Sequence, residues 1–349
     1  METIISKIKK GQLNNEVIKK AGEILKSGGL VAFPTETVYG LGADALNEKA
    51  AQKIYAAKGR PSDNPLIVHI TNMEALSRIV SDIPEEAYLA AEKYWPGPLT
   101  MIFRKSSIVP YGTTGGLDTV AVRMPSHETA CAVIDAGGGY IAAPSANTSG
   151  RPSPTKVEHV EEDLGGRIDM IVDGGPVEIG VESTILDVSV TPPMILRPGA
   201  VTKEMLSELF GEVAVDTALF EEGSANPPKA PGMKYRHYAP KAKLCVVEGA
   251  EDEVVKEINR IASEKIQKGG RVGIIGTEET VGRYGQGVVK CIGTRQDEAT
   301  VANRLYAVLR EFDAENVDSI LSESFSGNGI GNAVMNRLLK AAGHHVIHV

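Results

Sequence analysis

The sequence has little cysteine, few aromatic residues and no excess of positive charge. Its 349 residues include three cysteines, Cys131, Cys245 and Cys291, which lie far apart and form no CxxC pair. This spacing argues against a disulfide scaffold and against a zinc ribbon. The formal net charge is −8, so no general attraction to nucleic acid or to acidic membranes is expected. Any anion-binding site must therefore be local.

Long apolar runs are missing as well. No stretch of about 18 consecutive apolar residues occurs, and the N-terminus has no apolar segment typical of a secretion signal. We therefore expect a cytoplasmic protein with no membrane contact. A Ser-His-Asp pattern, an HExxH motif and the glycine spacings of dinucleotide and P-loop sites are also absent. The pattern thus favours electrostatic chemistry that orients and neutralises anionic reactants.

The composition is that of a globular protein, with 42% hydrophobic and 23% charged residues. A chain of this length exceeds what one hydrophobic core usually takes, so two domains are expected. Apolar runs alternate with helical patterns, which predicts an α/β catalytic domain with a mixed sheet over residues 1–210. Residues 211–241 have no steady period and are predicted to be a linker. The alternation restarts over 242–349, which predicts a second, smaller α/β domain.

The local patterns differ in clarity along the first domain. Residues 15–27 show helical spacing, and "NEKAAQKIYAAK" predicts a helix with Asn47 as its N-cap. "LVAFPT" predicts a buried strand, and "FPTETVYGLG" is interpreted as the polar loop that follows it. Between residues 140 and 200 the sequence shows only short apolar runs separated by turn residues.

Four cations occur where apolar segments end. Lys58 and Arg60 lie in "KGRPSDNPL", Arg123 follows Val120–Val122, and Arg197 lies in "ILRPG". Each could be a solvated surface charge. If they line one cleft with the hydroxyl-rich loops, the set suits a polyphosphate, because no acidic cluster of matching size accompanies it.

Arg123 and His69 each have two interpretations. Arg123 ends an apolar strand, so we expect a buried stem and a partner for its head, for which a bidentate carboxylate is suitable. His69 lies inside the apolar run "LIVHI", where a histidine can be either a core residue or part of a site.

Five motifs then occur in a fixed order, "FPTETVYGLG", "KGRPSDNPLIVH", "APSANTSGRPSPT", "ESTILD" and "LRPGAV". Together they resemble the YrdC/Sua5 family, the L-threonylcarbamoyladenylate synthases. "PGMKYRHYAPKAKL" is similar to the linker of the two-domain Sua5 type. The resemblance implies a YrdC-like twisted mixed sheet with a concave ligand cleft over 1–210. It further implies a linker that acts as a lid over 211–241 and a Rossmann-like Sua5 domain over 242–349.

The resemblance also implies a reaction and its partners. L-threonine, bicarbonate and ATP would give threonylcarbamoyl-AMP and pyrophosphate, the first step of the t6A modification of tRNA at position 37. Mg²⁺ is expected with ATP, and no protein metal site is expected. The t6A transferase machinery would be a partner, and contact with tRNA would be indirect.

Site residues are implied position by position. The resemblance assigns catalysis to a tetrad: Lys58, Arg60, Ser145 and Asn147. It assigns ATP binding to seven residues: Arg60, Asn64, Thr119, Ser145, Ser153, Arg197 and Tyr235. It assigns threonine binding to five: Thr37, His69, Arg123, Ala143 through its carbonyl, and Ser183.

Three alternatives remain beside this interpretation. The first is a module that binds double-stranded RNA or tRNA without catalysis, against which the net charge of −8 speaks. The second is a carbamoyl-transferring maturation factor with a YrdC-like domain, which would need zinc-finger cysteines that this sequence lacks. The third is a catalytically silent assembly partner, against which the intact motifs argue.

Overall fold

A computed structural model describes residues 2–9, 11–216 and 237–349. The described chain divides into two compact units. The first comprises residues up to 149 and residues 153–216, and the second comprises 150–152 and 237–349. None of the helices in these described ranges is both long enough and apolar enough to cross a bilayer.

The first unit is built on one mixed sheet. The described strands are β1 Ile4–Lys7, β2 Val31–Phe33, β3 Gly40–Asp44, β4 Ile67–His69, β5 Leu99–Arg104, β6 Thr119–Arg123, β7 Ile141–Ala142, β8 Met170–Asp173, β9 Thr184–Asp187, β10 Met194–Arg197 and β11 Ala214–Val215. Within the described residues their order is β1-β8-β2-β3-β7-β4-β6-β5-β9-β10-β11. Parallel pairs such as β4–β6 alternate with antiparallel pairs such as β5–β6.

The helices of the first unit cover the sheet. Those described are α1 Asn15–Lys26, α2 Glu48–Lys58, α3 Met73–Ile79, α4 Glu85–Tyr94, α5 Tyr111–Thr114, α6 Glu128–Ala136, α7 Val157–Leu164 and α8 Lys203–Phe210. The predicted N-cap is confirmed, because the Asn47 side chain accepts from the amides of Lys49 and Ala50. Along β2, Val31 and Phe33 join one core cluster while Ala32 joins another, as expected when successive strand residues face opposite sides.

The second unit is a parallel sheet with helices. Its described elements are β12 Lys243–Glu248, α9 Glu251–Gln267, β13 Val272–Gly276, a 3₁₀ turn Val281–Arg283, β14 Val288–Cys291, α10 Glu298–Glu315, β15 Ser319–Glu323, α11 Gly329–Ala342 and β16 Val346–His348. The strand order is β14-β13-β15-β12-β16, and all described neighbours are parallel. Parallel neighbours need crossover connections. Three of the four connections contain a helix, and the connection between β13 and β14 contains the 3₁₀ turn. The predicted fold class is therefore confirmed for both units.

Three elements contradict the sequence-based assignment. Strand β11 lies within the predicted linker 211–241 and pairs with β10 at the edge of the sheet, so the first unit extends beyond residue 210. The glycine-rich end of "FPTETVYGLG" is strand β3, although it was interpreted as a loop. A Cβ at Gly42 would lie 2.7 Å from the Phe33 ring, so close packing against β2 requires the glycine that weakens the strand signal. Helix α7 was also missed, because it lies where only short apolar runs were visible in the sequence.

The glycine at the start of β13 gives a test of packing in the second unit. A Cβ on Gly273 would lie 2.6 Å from Cε1 of Phe312, which belongs to α10. We expect Gly273→Ala to lower the free energy of unfolding by about 1–3 kcal/mol, because the ring is buried and has no room to retreat. Thermal unfolding of the full chain measures the effect. Gly282→Ala is the matched control, since no atom lies within 4 Å of its added Cβ. Equal melting temperatures for both variants would contradict the packing argument.

Candidate active site

A small apolar patch forms the floor of the candidate site. It consists of one or more residues from each of β4, β5, β6, β9 and β10: Ile67, Ile102, Ala121, Ile185 and Leu196. On three of these strands a polar residue lies two positions from the floor residue, His69, Thr100 and Arg123, and Ser183 has the same spacing directly before β9. Residues two apart on a strand point to the same face, so these polar side chains share the face of the floor.

The strand register aligns these polar residues across the sheet. His69 is the partner of Arg123 in the parallel pair β4–β6, and Thr100 is its partner in the antiparallel pair β5–β6. The ends that meet are therefore the carboxyl ends of β4 and β6 and the amino end of β5. The site thus depends on the mixed character of the sheet.

Arg123 is buried and hydrogen-bonded on three sides. Its Nη2 donates to Oε1 of Glu36 at 2.6 Å, and its Nη1 donates to Oγ1 of Thr37 at 2.9 Å. Its Nε donates to the carbonyl of Gly97 at 3.4 Å. A guanidinium has five N–H donors, so two of them have no partner in the described chain.

Arg123 has a carboxylate partner within the chain, and the contact is monodentate. Its Nη2 pairs with a single oxygen of Glu36. The bidentate carboxylate that the sequence favours for Arg123 is therefore not Glu36, and it stays a prediction for a ligand. Glu182, which directly precedes Ser183, is a second buried carboxylate.

The loop between β2 and β3 fixes Glu36 and Thr37 through its own hydrogen bonds. Oγ1 of Thr35 donates to the carbonyl of Val38 at 2.7 Å and accepts from the amide of Thr37 at 3.2 Å. The carbonyl of Glu36 accepts from the amide of Ile179 at 2.8 Å. A threonine that bridges its own loop in this way favours a turn over an extended strand.

Lys58 is buried at the end of α2 and holds the Ser145–Asn147 loop. The helix ends at Gly59, whose φ of 63° suits glycine. The Lys58 ammonium donates to the carbonyl of Ser145, to the carbonyl of Asn147 at 2.5 Å and to Oδ1 of Asn147 at 3.5 Å. Oγ of Ser145 donates to the same Oδ1 at 2.5 Å. The structure therefore brings three members of the predicted tetrad together.

The fourth member, Arg60, lies in the loop after α2 with Asn64. Its Nε donates to the carbonyl of Asn64 at 3.4 Å, and its Nη2 donates to the carbonyl of Pro65 at 3.0 Å. The Asn64 side chain is buried, and its Oδ1 has no hydrogen-bond partner in the described chain. A buried amide oxygen without a partner is costly, which marks this loop as a place for a ligand donor.

Arg197 and Ser183 form a third group. Arg197 is 5% exposed, so it is not the surface charge that its position before a proline allowed. Its Nε donates to the carbonyl of Ser183 at 3.0 Å, and its Nη2 donates to Oγ of Ser183 at 3.1 Å. The same Oγ lies 2.8 Å from Oγ1 of Thr100. Ser153 is next to this group, because its Oγ donates to Oε1 of Glu182 at 2.5 Å.

The remaining predicted residues are more dispersed. Ala143 follows β7 and is buried, with its amide donating to the carbonyl of Ile67 at 2.9 Å. Thr119 begins β6, four residues before Arg123, and the two are therefore about 13 Å apart along the strand. Thr119 lines an open cavity of about 880 Å³ together with Arg104 and Tyr111. Tyr235 lies outside the described residues.

The His69 ring is buried beside Arg123, and this lowers the pKa of His69 to about 3. Burial is the larger cause, because it penalises the charged imidazolium, and the positive charge of Arg123 adds to it. Nδ1 lies 3.1 Å from the carbonyl of Ile67, which can only accept, so Nδ1 carries the proton of the neutral ring. His69 is thus a neutral residue of the site near pH 7.

Family models match both units in order. The model Sua5_yciO_yrdC, described as "Telomere recombination", matches residues 23–199, which is half of the chain. A second model, described as "Threonylcarbamoyl-AMP synthase, C-terminal domain", matches residues 201–343. The chain belongs to the Sua5/YrdC family. The resemblance seen in the five sequence motifs is thereby confirmed.

Relatives within the Sua5/YrdC family match nearly the whole chain. Threonylcarbamoyl-AMP synthase of Pyrococcus abyssi is 49% identical over 332 residues, which cover 95% of this chain and 96% of the relative. The Bacillus subtilis protein of the same name is 50% identical over 335 residues, covering 96% and 95%. A crystal structure of Pyrococcus abyssi Sua5 complexed with L-threonine superimposes with a TM-score of 0.95 at 46% identity, covering 99% of this chain and all of the other.

Sequence reasoning missed three polar residues of this Sua5/YrdC-family site, Glu36, Thr100 and Glu182. Glu36 and Glu182 each directly precede a predicted threonine-binding residue, Thr37 and Ser183, and that adjacency was the available signal. Thr100 could have been found only from the strand register. Among the described residues, no group of three or more His, Cys, Asp or Glu side chains is arranged to hold a metal ion.

The lowered pKa of His69 predicts a pH dependence of stability. The unfolded chain binds a proton at His69 near pH 6.5, whereas the folded chain binds it only near pH 3. The unfolded state therefore gains protons first as the pH falls, so His69 lowers the free energy of unfolding by up to about 1.4 kcal/mol per pH unit below pH 6.5. Urea unfolding of the wild type and His69→Asn between pH 7 and pH 5 measures this.

His69→Asn keeps a short polar side chain and removes the titrating group. The wild type should lose more stability than the variant over this range, and subtraction removes the contribution of the shared carboxylates. Parallel pH profiles for the two proteins would show that His69 titrates at its ordinary pKa in the folded chain.

Proposed function

We propose that the protein is a threonylcarbamoyl-AMP synthase, which converts L-threonine, bicarbonate and ATP into threonylcarbamoyl-AMP and pyrophosphate. The names of relatives at about half identity over nearly full length support this. The threonine complex of a similar structure supports threonine as a substrate. These names do not favour the alternative of an RNA-binding module without catalysis.

The observation that carries the proposal is the buried guanidinium of Arg123. Two of its N–H donors have no partner among the residues that the structure describes, and it lies at a strand end beside hydroxyl groups. Two donors on one planar fork match the two oxygens of a carboxylate. The threonine carboxylate binds here, with Thr37, Ser183 and the carbonyl of Ala143 available to the hydroxyl and the amine. Neutral His69 adds no positive charge that would repel the threonine ammonium.

The chemistry proceeds in two bond-forming steps. Bicarbonate gives CO₂ and hydroxide, and the threonine ammonium loses one proton to become a free amine. The amine nitrogen attacks CO₂ and loses a second proton, which gives a carbamate; one of the two protons combines with the hydroxide as water, and the other leaves to solvent. A carbamate oxygen then attacks the α-phosphorus of ATP, the bond to the β-phosphate oxygen breaks, and pyrophosphate leaves. Both reactants are anions, so the fixed positive charge lowers the barrier by bringing them together. Exclusion of water protects the carbamate and the mixed anhydride.

The nucleotide is bound by the remaining cations and by polar side chains. Arg60 and the Asn64 side chain contact the phosphates, and Arg197, Ser145, Ser153 and Thr119 line the rest of the ATP path. Lys58 acts chiefly on the protein, because three of its contacts order Ser145 and Asn147. We expect Mg²⁺ to enter with ATP as the MgATP complex, because this cation is usually bound through substrate phosphates.

Several finer expectations remain predictions. Tyr235 and the linker would close over the site, and of the predicted linker residues 217–236 lie outside the described part of the chain. A transferase that modifies tRNA would consume the product, which places tRNA contact outside this reaction. The cytoplasmic location expected from the sequence also stays a prediction.

The experiment that tests the proposed function is a search for the product. The full chain is incubated with ATP, Mg²⁺, bicarbonate and L-threonine, and adenylates are identified by mass spectrometry. A threonine-dependent adenylate of the mass of threonylcarbamoyl-AMP is expected, with L-serine as the control substrate. Pyrophosphate release without such an adenylate would contradict the proposal.

Removing a cation of the tetrad should stop pyrophosphate release. We expect Lys58→Ala and Arg60→Ala each to lower the threonine-dependent rate about 100-fold or more, because one releases the Ser145–Asn147 loop and the other removes a phosphate contact. Lys49→Ala is the matched control, since Lys49 is an exposed lysine of the same helix. A near-normal rate in either site variant, with an unchanged circular dichroism spectrum, would remove that residue from the mechanism.

A further inference from the structure

The buried pair of Arg123 and Glu36 suggests a role for Glu36, to which the sequence analysis assigned none. Both side chains are 5% exposed, and Nη2 of Arg123 lies 2.6 Å from Oε1 of Glu36. A charged pair in this position is costly to desolvate and is weak support for stability as such. We propose that Glu36 is a positioning residue, which holds the Arg123 guanidinium in the orientation that receives the substrate carboxylate. This inference rests on the proposed function, in which Arg123 binds threonine.

The donors of Arg123 show that Glu36 and a substrate fit at the same time. One N–H each goes to Gly97, Thr37 and Glu36. Two of the five donors remain, and a carboxylate needs two. Glu36 therefore need not leave when threonine arrives. A rival reading, in which Glu36 is an internal competitor for the substrate carboxylate, would require the substrate to take the donor that Glu36 already occupies.

The backbone of Glu36 is fixed firmly enough to serve as a reference point. Its carbonyl accepts from the amide of Ile179, and the carbonyl of Thr37 accepts from the amide of Gly180 at 3.1 Å. The hydroxyl of Thr35 bonds the turn internally. The backbone of this loop is held by hydrogen bonds at Glu36 and on both sides of it, so the Glu36 side chain starts from a fixed position. Precise orientation of a binding group requires such a fixed support.

Only one oxygen of Glu36 is engaged. Oε2 is buried and has no hydrogen-bond partner in the described chain. Glu36 also lines a cavity of about 210 Å³ with Ser126, Glu128 and Thr129, on the border of the site. If the purpose of Glu36 were only to satisfy its own carboxylate, both oxygens would be expected to have donors. The single contact of Glu36 with Nη2 is consistent with a residue whose role is to fix the position of that nitrogen.

Three substitutions separate orientation from charge. Glu36→Gln keeps the length and the acceptor oxygen but removes the charge. Glu36→Asp keeps the charge but withdraws the oxygen by about 1.5 Å, one carbon–carbon bond. Glu36→Ala removes both. If Glu36 positions Arg123, the KM for threonine should stay within about 3-fold for Glu36→Gln and rise about 10- to 100-fold for Glu36→Asp and Glu36→Ala. The KM for ATP should not change.

Each other outcome overturns the inference. A normal Glu36→Asp with an impaired Glu36→Gln would show that only the charge matters. A lower KM for threonine in Glu36→Ala would show competition. Unchanged threonine binding in all three variants would show no role. Glu36→Ala removes both the charge and the acceptor for Nη2 of the buried Arg123, so it can fail to fold. The Gln and Asp variants, which each keep an acceptor oxygen, then decide, with circular dichroism as the check on folding.

The matched control is Glu128, an exposed glutamate that lines the same cavity and does not contact Arg123. Glu128→Gln and Glu128→Asp should leave the KM for threonine unchanged. Calorimetric titration of the wild type with L-threonine, without ATP, separates this inference from the proposed function. If the wild type binds no threonine, the proposed function is wrong. If the wild type binds threonine and the Glu36 variants bind it equally well, only the proposed role of Glu36 is wrong.

Discussion

The site depends on one physical constraint, which is that a positive charge taken out of water must be surrounded by hydrogen-bond acceptors. Lys58, Arg123 and Arg197 are each 5% exposed or less. The acceptors they use are mostly loop carbonyls, those of Ser145, Asn147, Gly97 and Ser183 among them. The cations therefore order the loops of the site before any ligand arrives.

This arrangement explains how a chain with a net charge of −8 can hold anionic reactants. Arg123 and Arg197 end strands that also carry residues of the apolar floor, so their positive charge is placed locally beside low-dielectric material. Glu36 offsets part of the charge of Arg123. The two N–H groups of Arg123 that have no partner among the described residues remain available to a ligand.

Features of the fold and the site could be predicted from the sequence where a single local pattern indicates them. The apolar run before Arg123 indicated a buried stem, and Asn47 indicated a helix start, and both agree with the structure. Strand β3 was missed because its glycines serve packing against Phe33, which only the tertiary structure shows. The pairing of Glu36 with Arg123 joins residues 87 apart in the sequence, and no local pattern reports which way a loop side chain points.

The spacing between the floor residues and the polar residues of the site along the strands also limits which insertions and deletions this sequence can accept. Ile67 and His69, and likewise Ala121 and Arg123, share a face because they lie two positions apart, with one residue between them. Inserting or deleting a single residue between such a pair would turn the guanidinium or the imidazole through the sheet to its opposite side. We therefore expect insertions and deletions to be tolerated in the connecting loops and not between a floor residue and the polar residue two positions away.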